Sequence, residues 1–218
     1  MTGQKGIFIT FEGGEGSGKT TQVNRLAQFL TDKDRKVLTT REPGGTAEGE
    51  KIREWLVQRE GGDWTPMAEC LLLFAARTMH VEKIIQPALT KGKIVISDRF
   101  TDSTRAYQGH GHKFPLETIE SLNKMVMGDF KPDITFLLDI EVKKGLARSG
   151  RRMAAEALHI KQTEDRFENM EMEFHERLRQ GFLDIAKKDK KRVHIIDATL
   201  AVEEMTAKIQ KIILEKIG

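Results

Sequence analysis

The octet Gly13-Gly14-Glu15-Gly16-Ser17-Gly18-Lys19-Thr20 constrains this chain more than any other stretch. It fits the pattern G-x-x-x-x-G-K-[ST]. The apolar run Ile7-Phe8-Ile9-Thr10-Phe11 precedes it, and a helix-like segment over 21–30 follows. Strand, loop and helix in that order distinguish a phosphate-binding loop (P-loop) from a glycine-rich turn. The glycines let backbone N–H groups converge on an anion, and the helix N-terminus adds partial positive charge. Lys19 is expected to reach the β and γ phosphates, and the Thr20 hydroxyl to ligate Mg²⁺. A P-loop alone does not separate a kinase from a switch or a motor.

Strand-like apolar runs at 6–12, 36–40, 93–98, 133–139 and 192–196 alternate with helical patterns at 19–31, 47–58, 66–91, 115–128, 142–149, 163–188 and 202–216. Apolar runs without strict alternation suit parallel strands covered on both faces. The alternation predicts an α/β fold of the P-loop NTPase type, a doubly wound parallel sheet of about five strands flanked by helices. Its ligands would gather at the strand C-termini. No repeat or linker divides the 218 residues, so one domain is expected. The stretch 149–162 reads as irregular and lies between two helices.

Composition narrows the classes. Charged residues make up 32% of the chain, and no apolar stretch approaches about 20 residues, so a membrane span is not expected. A formal net charge of +3 gives no case for nucleic-acid binding. Cys70 is the only cysteine, and 1–6 lacks the apolar core of a signal peptide. These features lead us to expect a cytoplasmic protein.

Two further loops fall at the expected ligand edge: Thr40-Arg41-Glu42-Pro43-Gly44-Gly45-Thr46, and Asp98-Arg99-Phe100 leading into Thr101–Gly109. An acid at a buried strand end can hold Mg²⁺ through water, and an adjacent arginine can clamp a phosphate. With these, the chain closely resembles the thymidylate kinases. The resemblance rests on FITFEGGEGSGKTTQ (8–22), TREPGGT (40–46) followed by Arg53, LLLFAAR (71–77), DRFTDSTRAYQG (98–109) and DRFENMEMEFHERLRQGF (165–182), in that order.

The resemblance implies transfer of the γ-phosphate of ATP to dTMP, with Mg²⁺, by a single nucleoside monophosphate kinase domain over 1–218 with a lid near 149–162. It implies ATP binding by Gly13, Gly14, Glu15, Gly16, Ser17, Gly18, Lys19, Thr20 and Thr21, with Arg148 from the lid side. Arg53 and Arg99 would grip the dTMP phosphate. Glu15 would face the acceptor, Phe74 would stack on thymine, and Arg77 would donate to its O4. Ser103, Thr104 and Gln108 would lie near the substrate, and Tyr107 under the deoxyribose against a 2′-hydroxyl. Asp98 and Glu42 would organise Mg²⁺, with Glu42 also near dTMP. Family members are usually homodimers.

Some members carry an arginine in the P-loop, where this chain has Gly16. The transition-state charge is then expected to be met from the lid, by Arg152 or Arg151. The Phe74–Arg77 spacing is three where many members have four, which leaves Phe74 and Leu73 both open for the stacking position. A kinase for another monophosphate and a nucleotide-dependent switch are the rival readings. The switch would need a guanine-reading N-K-x-D loop, and Asn123-Lys124 instead continues as Met125-Val126.

Overall fold

The computed structural model describes residues 6–58, 62–156 and 166–217, with the backbone alone for 152–156 and 217. Its five strands are β1 Ile7–Glu12, β2 Val37–Arg41, β3 Ile94–Asp98, β4 Ile134–Asp139 and β5 Val193–Asp197. They form one sheet in the order β2-β3-β1-β4-β5, with every pairing parallel. β1 is central, and Phe11 lies in register with Asp98 on one side and Phe136 on the other. The loop leaving β1 therefore emerges beside the end of β3.

In the three inner strands, β3, β1 and β4, side chains alternate between two covered faces, which is why these strands read as apolar runs. Ile9, Phe11, Ile96 and Phe136 pack on Leu26 and Leu30 of α1 (Lys19–Thr31) and on Ile209 and Ile213 of α9 (Val202–Ile217). Phe8 and Val95 face Val81, Ile85 and Phe100 on the other side. Leu137 on that side meets Phe174, Leu178 and Phe182 of α8 (Met172–Lys188). The remaining helices include α2 (Ala47–Val57) and α6 (Leu116–Met127). Among the described residues no helix is long and apolar enough to cross a membrane.

Three stretches differ from the sequence reading. The helix expected over 66–91 is α3 (Pro66–His80), a π-helical turn (Val81–Ile85) and α4 (Gln86–Thr90). Pro87 has no N–H and its ring would press on the carbonyl four residues back, so the turn before it widens. The second is 101–111, which is α5 (Thr101–Thr104) followed by a π-helical turn (Arg105–Gly111). Its Thr, Ser and Gly content hides the helix, and packing against α8 supplies it: a Cβ on Gly111 would overlap the Phe174 ring. Third, the start of the expected irregular lid is helical, because α7 spans Val142–Glu156. Between Arg148 and Glu156 only Ser149 and Gly150 are weak helix formers, and Arg, Met, Ala and Glu follow. Residues 157–165, which include 157–162 of that lid, lie outside the described residues. The helix expected from 163 begins at Met172, and 166–170 form a turn.

Candidate active site

The P-loop runs from Gly13 into α1, whose N-terminal cap, Gly18, has φ 91°. Lys19 is 8% exposed, and its Nζ donates to the carbonyls of Gly14 (2.9 Å) and Gly13 (3.1 Å). Burial, and then the charge of Arg99, lower its pKa to about 8. This ammonium has few compensating charges, and a polyanion would supply them. Beside it the Thr20 hydroxyl donates to Asp98 Oδ2 at 2.8 Å. That pair offers two hard oxygens one residue from the anion cradle, which suits Mg²⁺.

Gly16 (φ 65°) packs directly on the root of α7. A Cβ there would overlap the Gly145 carbonyl oxygen, and a Cβ on Gly145 would stand 2.5 Å from the Glu15 carbonyl oxygen. Backbone meets backbone at this seam, so position 16 has no room for a side chain.

Arg99 takes a left-handed turn (φ 72°) immediately after β3, with its N–H bonded to the Phe11 carbonyl at 2.9 Å. Its guanidinium donates to Glu15 (2.9 Å), Gly13 O (3.1 Å) and Ser103 Oγ (3.2 Å), and lies 4.9 Å from the Tyr107 ring centre. The Tyr107 hydroxyl bonds the same Glu15 carboxylate. An arginine held in a sparsely populated backbone conformation, between the P-loop and a tyrosine, suits a clamp aimed at a second phosphate.

The turn is held by a residue the motifs did not single out. Glu12, at the end of β1 and 1% exposed, accepts from the Phe100 N–H (2.7 Å) and Ser103 Oγ (2.5 Å). Burial, and then the Asp102 charge, raise its pKa to about 8. A carboxyl with a raised folded pKa binds its proton more tightly folded than unfolded, so stability falls as pH rises from about 4.5 through 8. Glu12→Gln keeps an acceptor for Phe100 and removes the titration. The drop in melting temperature between pH 5 and 8 is expected to shrink by a few degrees in that variant, as thermal melts across the range would register.

The far wall comes from the loop after β2 and from α3. Glu42 is buried, and its oxygens accept from Arg77 Nε (2.7 Å) and His80 Nδ1 (3.0 Å). Glu42, expected to organise Mg²⁺, thus has each carboxylate oxygen bonded to a protein side chain. Arg77 also donates to Thr104 Oγ1 at 3.0 Å, while its buried Nη1 has no partner among the described residues. Phe74 does not face the cleft. It is 3% exposed, in a cluster with Cys70 and Ile119, under the Arg77 guanidinium. Leu73 lines the cleft instead. At 100° per residue, Leu73 and Phe74 flank Arg77 on opposite sides, and only one side meets the cavity. Gln108 donates to Glu69, and Arg166 from the turn 166–169 pairs with the same carboxylate.

One cavity of about 940 Å³ joins these walls. Glu15, Gly16, Ser17, Gly18, Lys19, Thr20 and Thr21 line it on the P-loop side, and Asp98, Arg99, Ser103, Thr104, Tyr107 and Gln108 beyond them. Glu42, Arg53 and Arg77 close it, with Arg53 donating to the Pro43 carbonyl at 3.3 Å. Gly13 and Gly14 stand behind the loop against Leu138 and Asp139. Arg148 and Arg151 do not line the cavity: Arg148 donates to the Ala198 carbonyl at 2.7 Å, and Arg151 is exposed on α7. The Arg152 side chain lies outside the described residues. Besides Glu12, sequence reasoning missed Glu69 and His80. Glu69 was visible as a lone acid in the run Met-Ala-Glu-Cys-Leu-Leu-Leu, eight residues before Arg77.

With that geometry in hand, the chain can be compared with known proteins. A family model described as thymidylate kinase matches residues 11–209. A thymidylate kinase of Caulobacter vibrioides is 43% identical over 214 residues, covering 98% of this chain and 99% of that one. One from Cereibacter sphaeroides is 47% identical over 206 residues, covering 94% and 93%. The crystal structure of thymidylate kinase from Ehrlichia chaffeensis matches with a TM-score of 0.76 at 37% identity, covering 96% of this chain and 99% of that one. This chain belongs to the thymidylate kinase family.

Proposed function

We propose that the protein moves the γ-phosphoryl group of ATP onto dTMP, giving dTDP and ADP. The observation that carries this reading is a cleft with a P-loop on one wall and, across Arg99, a buried donor of Arg77 that no group among the described residues satisfies. A phosphate oxygen of dTMP would attack the γ-phosphorus while the bond to the ADP oxygen breaks. Lys19 and the P-loop amides would hold the donor phosphates. Arg99 and Arg53 would hold the acceptor phosphate in line, and Glu15 would tie Arg99 to Tyr107 under the sugar. Leu73 would give the base an aliphatic ledge. The chemistry Mg²⁺ would supply at the P-loop is positive charge against the donor phosphates. Thr20 would hold the ion directly and Asp98 through water. Among the described residues no three acidic, His or Cys side chains converge on a metal position, which suits an ion that takes most ligands from phosphates and water.

The test is ADP release with ATP and Mg²⁺ across a panel of acceptors. Release that requires dTMP and exceeds that with dGMP or AMP is expected. Equal use of all acceptors would move the assignment to a broad monophosphate kinase, and ADP release without any acceptor would favour a switch.

We place the lid at 149–162 of a single domain spanning 1–218, and the cationic group for the transition state on Arg151 or Arg152. Arg151 is exposed six residues, nearly two turns, beyond Gly145 of the seam. Changing both to Ala is expected to cut kcat by about 10²-fold and leave nucleotide affinities nearly unchanged, the split expected of a group acting only at the transition state. Single-turnover kinetics with equilibrium nucleotide binding would check it.

A cytoplasmic homodimer completes the reading. Trp55 on α2, Met67 and Leu71 on α3 and Met125 on α6, the last 80% exposed, give these adjoining helices an apolar surface for a second copy. Size-exclusion chromatography with light scattering would measure the mass.

A further inference from the structure

Gln108 is 2% exposed in the cleft wall. Its Nε2 donates to Glu69 Oε2 at 2.9 Å, and its Oε1 is buried with no hydrogen-bond partner among the described residues. Which end of an amide points where is decided by its partners. A carboxylate only accepts, so it takes the NH₂ end and leaves the carbonyl end facing away. Glu69 cannot easily reverse this. It is 1% exposed, ion-paired with Arg166, and the Arg166 guanidinium is itself anchored on the Leu56 carbonyl at 2.9 Å. The cleft therefore carries one orphan acceptor, Gln108 Oε1, and one orphan donor, Arg77 Nη1.

That pattern has a definite complement. A 4-oxo pyrimidine offers a donor at N3 and an acceptor at O4. A 4-amino pyrimidine offers the reverse, an acceptor at N3 and a donor at N4. Against the second, both protein groups would face like partners in a buried wall. A site built on hydrogen bonds rejects such a mismatch far more strongly than an apolar pocket rejects a change of size.

We propose that Glu69 is a specificity-determining residue that acts through Gln108, fixing its amide as an acceptor so that the site takes 4-oxo and refuses 4-amino pyrimidine monophosphates. This rests on the dTMP kinase reading above. Glu69 touches no reacting atom and is a positioning residue.

The test compares kcat/KM for dTMP and dCMP in wild type, Glu69→Gln and Glu69→Asp, with ATP KM and melting temperature recorded for each. Wild type is expected to prefer dTMP by more than about 10²-fold. Glu69→Gln is nearly isosteric, but its amide accepts either end of Gln108. The preference is expected to narrow by about tenfold or more, with a gain for dCMP and an unchanged ATP KM. Glu69→Asp retains a carboxylate and is expected to keep most of the preference. A purely structural role would lower both substrates alike and leave the ratio in place, and that result in a folded Glu69→Gln protein overturns the proposal. Should that variant not fold, Gln108→Leu with Glu69 and Arg166 intact is the substitute. The same narrowing supports the proposal, and an unchanged ratio overturns it. Wild type that uses dTMP and dCMP equally refutes the role of Glu69 alone, whereas wild type inactive on dTMP refutes the kinase reading.

Discussion

Lys19→Met is expected to lose about 10³-fold or more in turnover while melting no lower than wild type at pH 7. The first half follows from the position of the ammonium in the P-loop, where it would meet charge developing between the β and γ phosphates. The second half follows from burial. The pKa of Lys19 is lowered to about 8, so the folded protein holds this proton less tightly than the unfolded chain does. The penalty is fully present below pH 8 and is relieved as pH rises from 8 toward 10.5. Methionine removes the penalty and strands no acceptor, because Gly13 O keeps its bond from Arg99 and Gly14 O its bond from Ser17 Oγ. Turnover assays and melts from pH 7 to 10 give both readouts. The wild-type gain in stability across that window should be absent in the variant. A variant that is both active and unchanged in its pH response would remove Lys19 from the phosphate site.

Arg99→Ala is expected to cost about 2–4 kcal/mol in kcat/KM for dTMP, with both constants affected and the ATP KM moved much less. The guanidinium touches Glu15, Gly13 and Ser103 without a nucleotide, so some reorganisation of the Glu15–Tyr107 pair should accompany its loss. Initial-rate kinetics with each substrate varied would separate the two nucleotides. If the ATP KM rises and dTMP use is spared, Arg99 serves the donor phosphates instead.

Much of this architecture was legible in the residues. The strand at 6–12, the P-loop and the helix from Lys19 announce themselves through local chemistry: an apolar run, glycines that need positive φ, and a helix start. The sheet followed because the three inner strands, β3, β1 and β4, are almost wholly buried and read as apolar runs. What escaped was decided by tertiary neighbours. The helix at 101–111 looks like a loop because Thr, Ser and Gly are weak helix formers, and only contact with Phe174 shows why the glycine is there. Phe74 and Leu73 differ by 100° around one helix, and no periodicity states which side meets a cavity. Glu42 carries the charge of a metal ligand, and its sequence neighbours do not reveal that Arg77, 35 positions away, takes an oxygen. Glu12, Glu69 and His80 act through other groups, and of the three only Glu69, a lone acid in an apolar run, is marked by its own surroundings.

The seam between Gly16 and Gly145 bears on how such a chain could change over time. An arginine at position 16 would have its Cβ inside the Gly145 carbonyl, so that substitution cannot be sampled alone. The root of α7 would have to withdraw first, carrying Arg148, Ser149 and Arg151 with it. Under the lid proposal above, backbone sterics set an arginine at position 16 against one carried on α7, and a route from one arrangement to the other requires the contact between the two glycines to open.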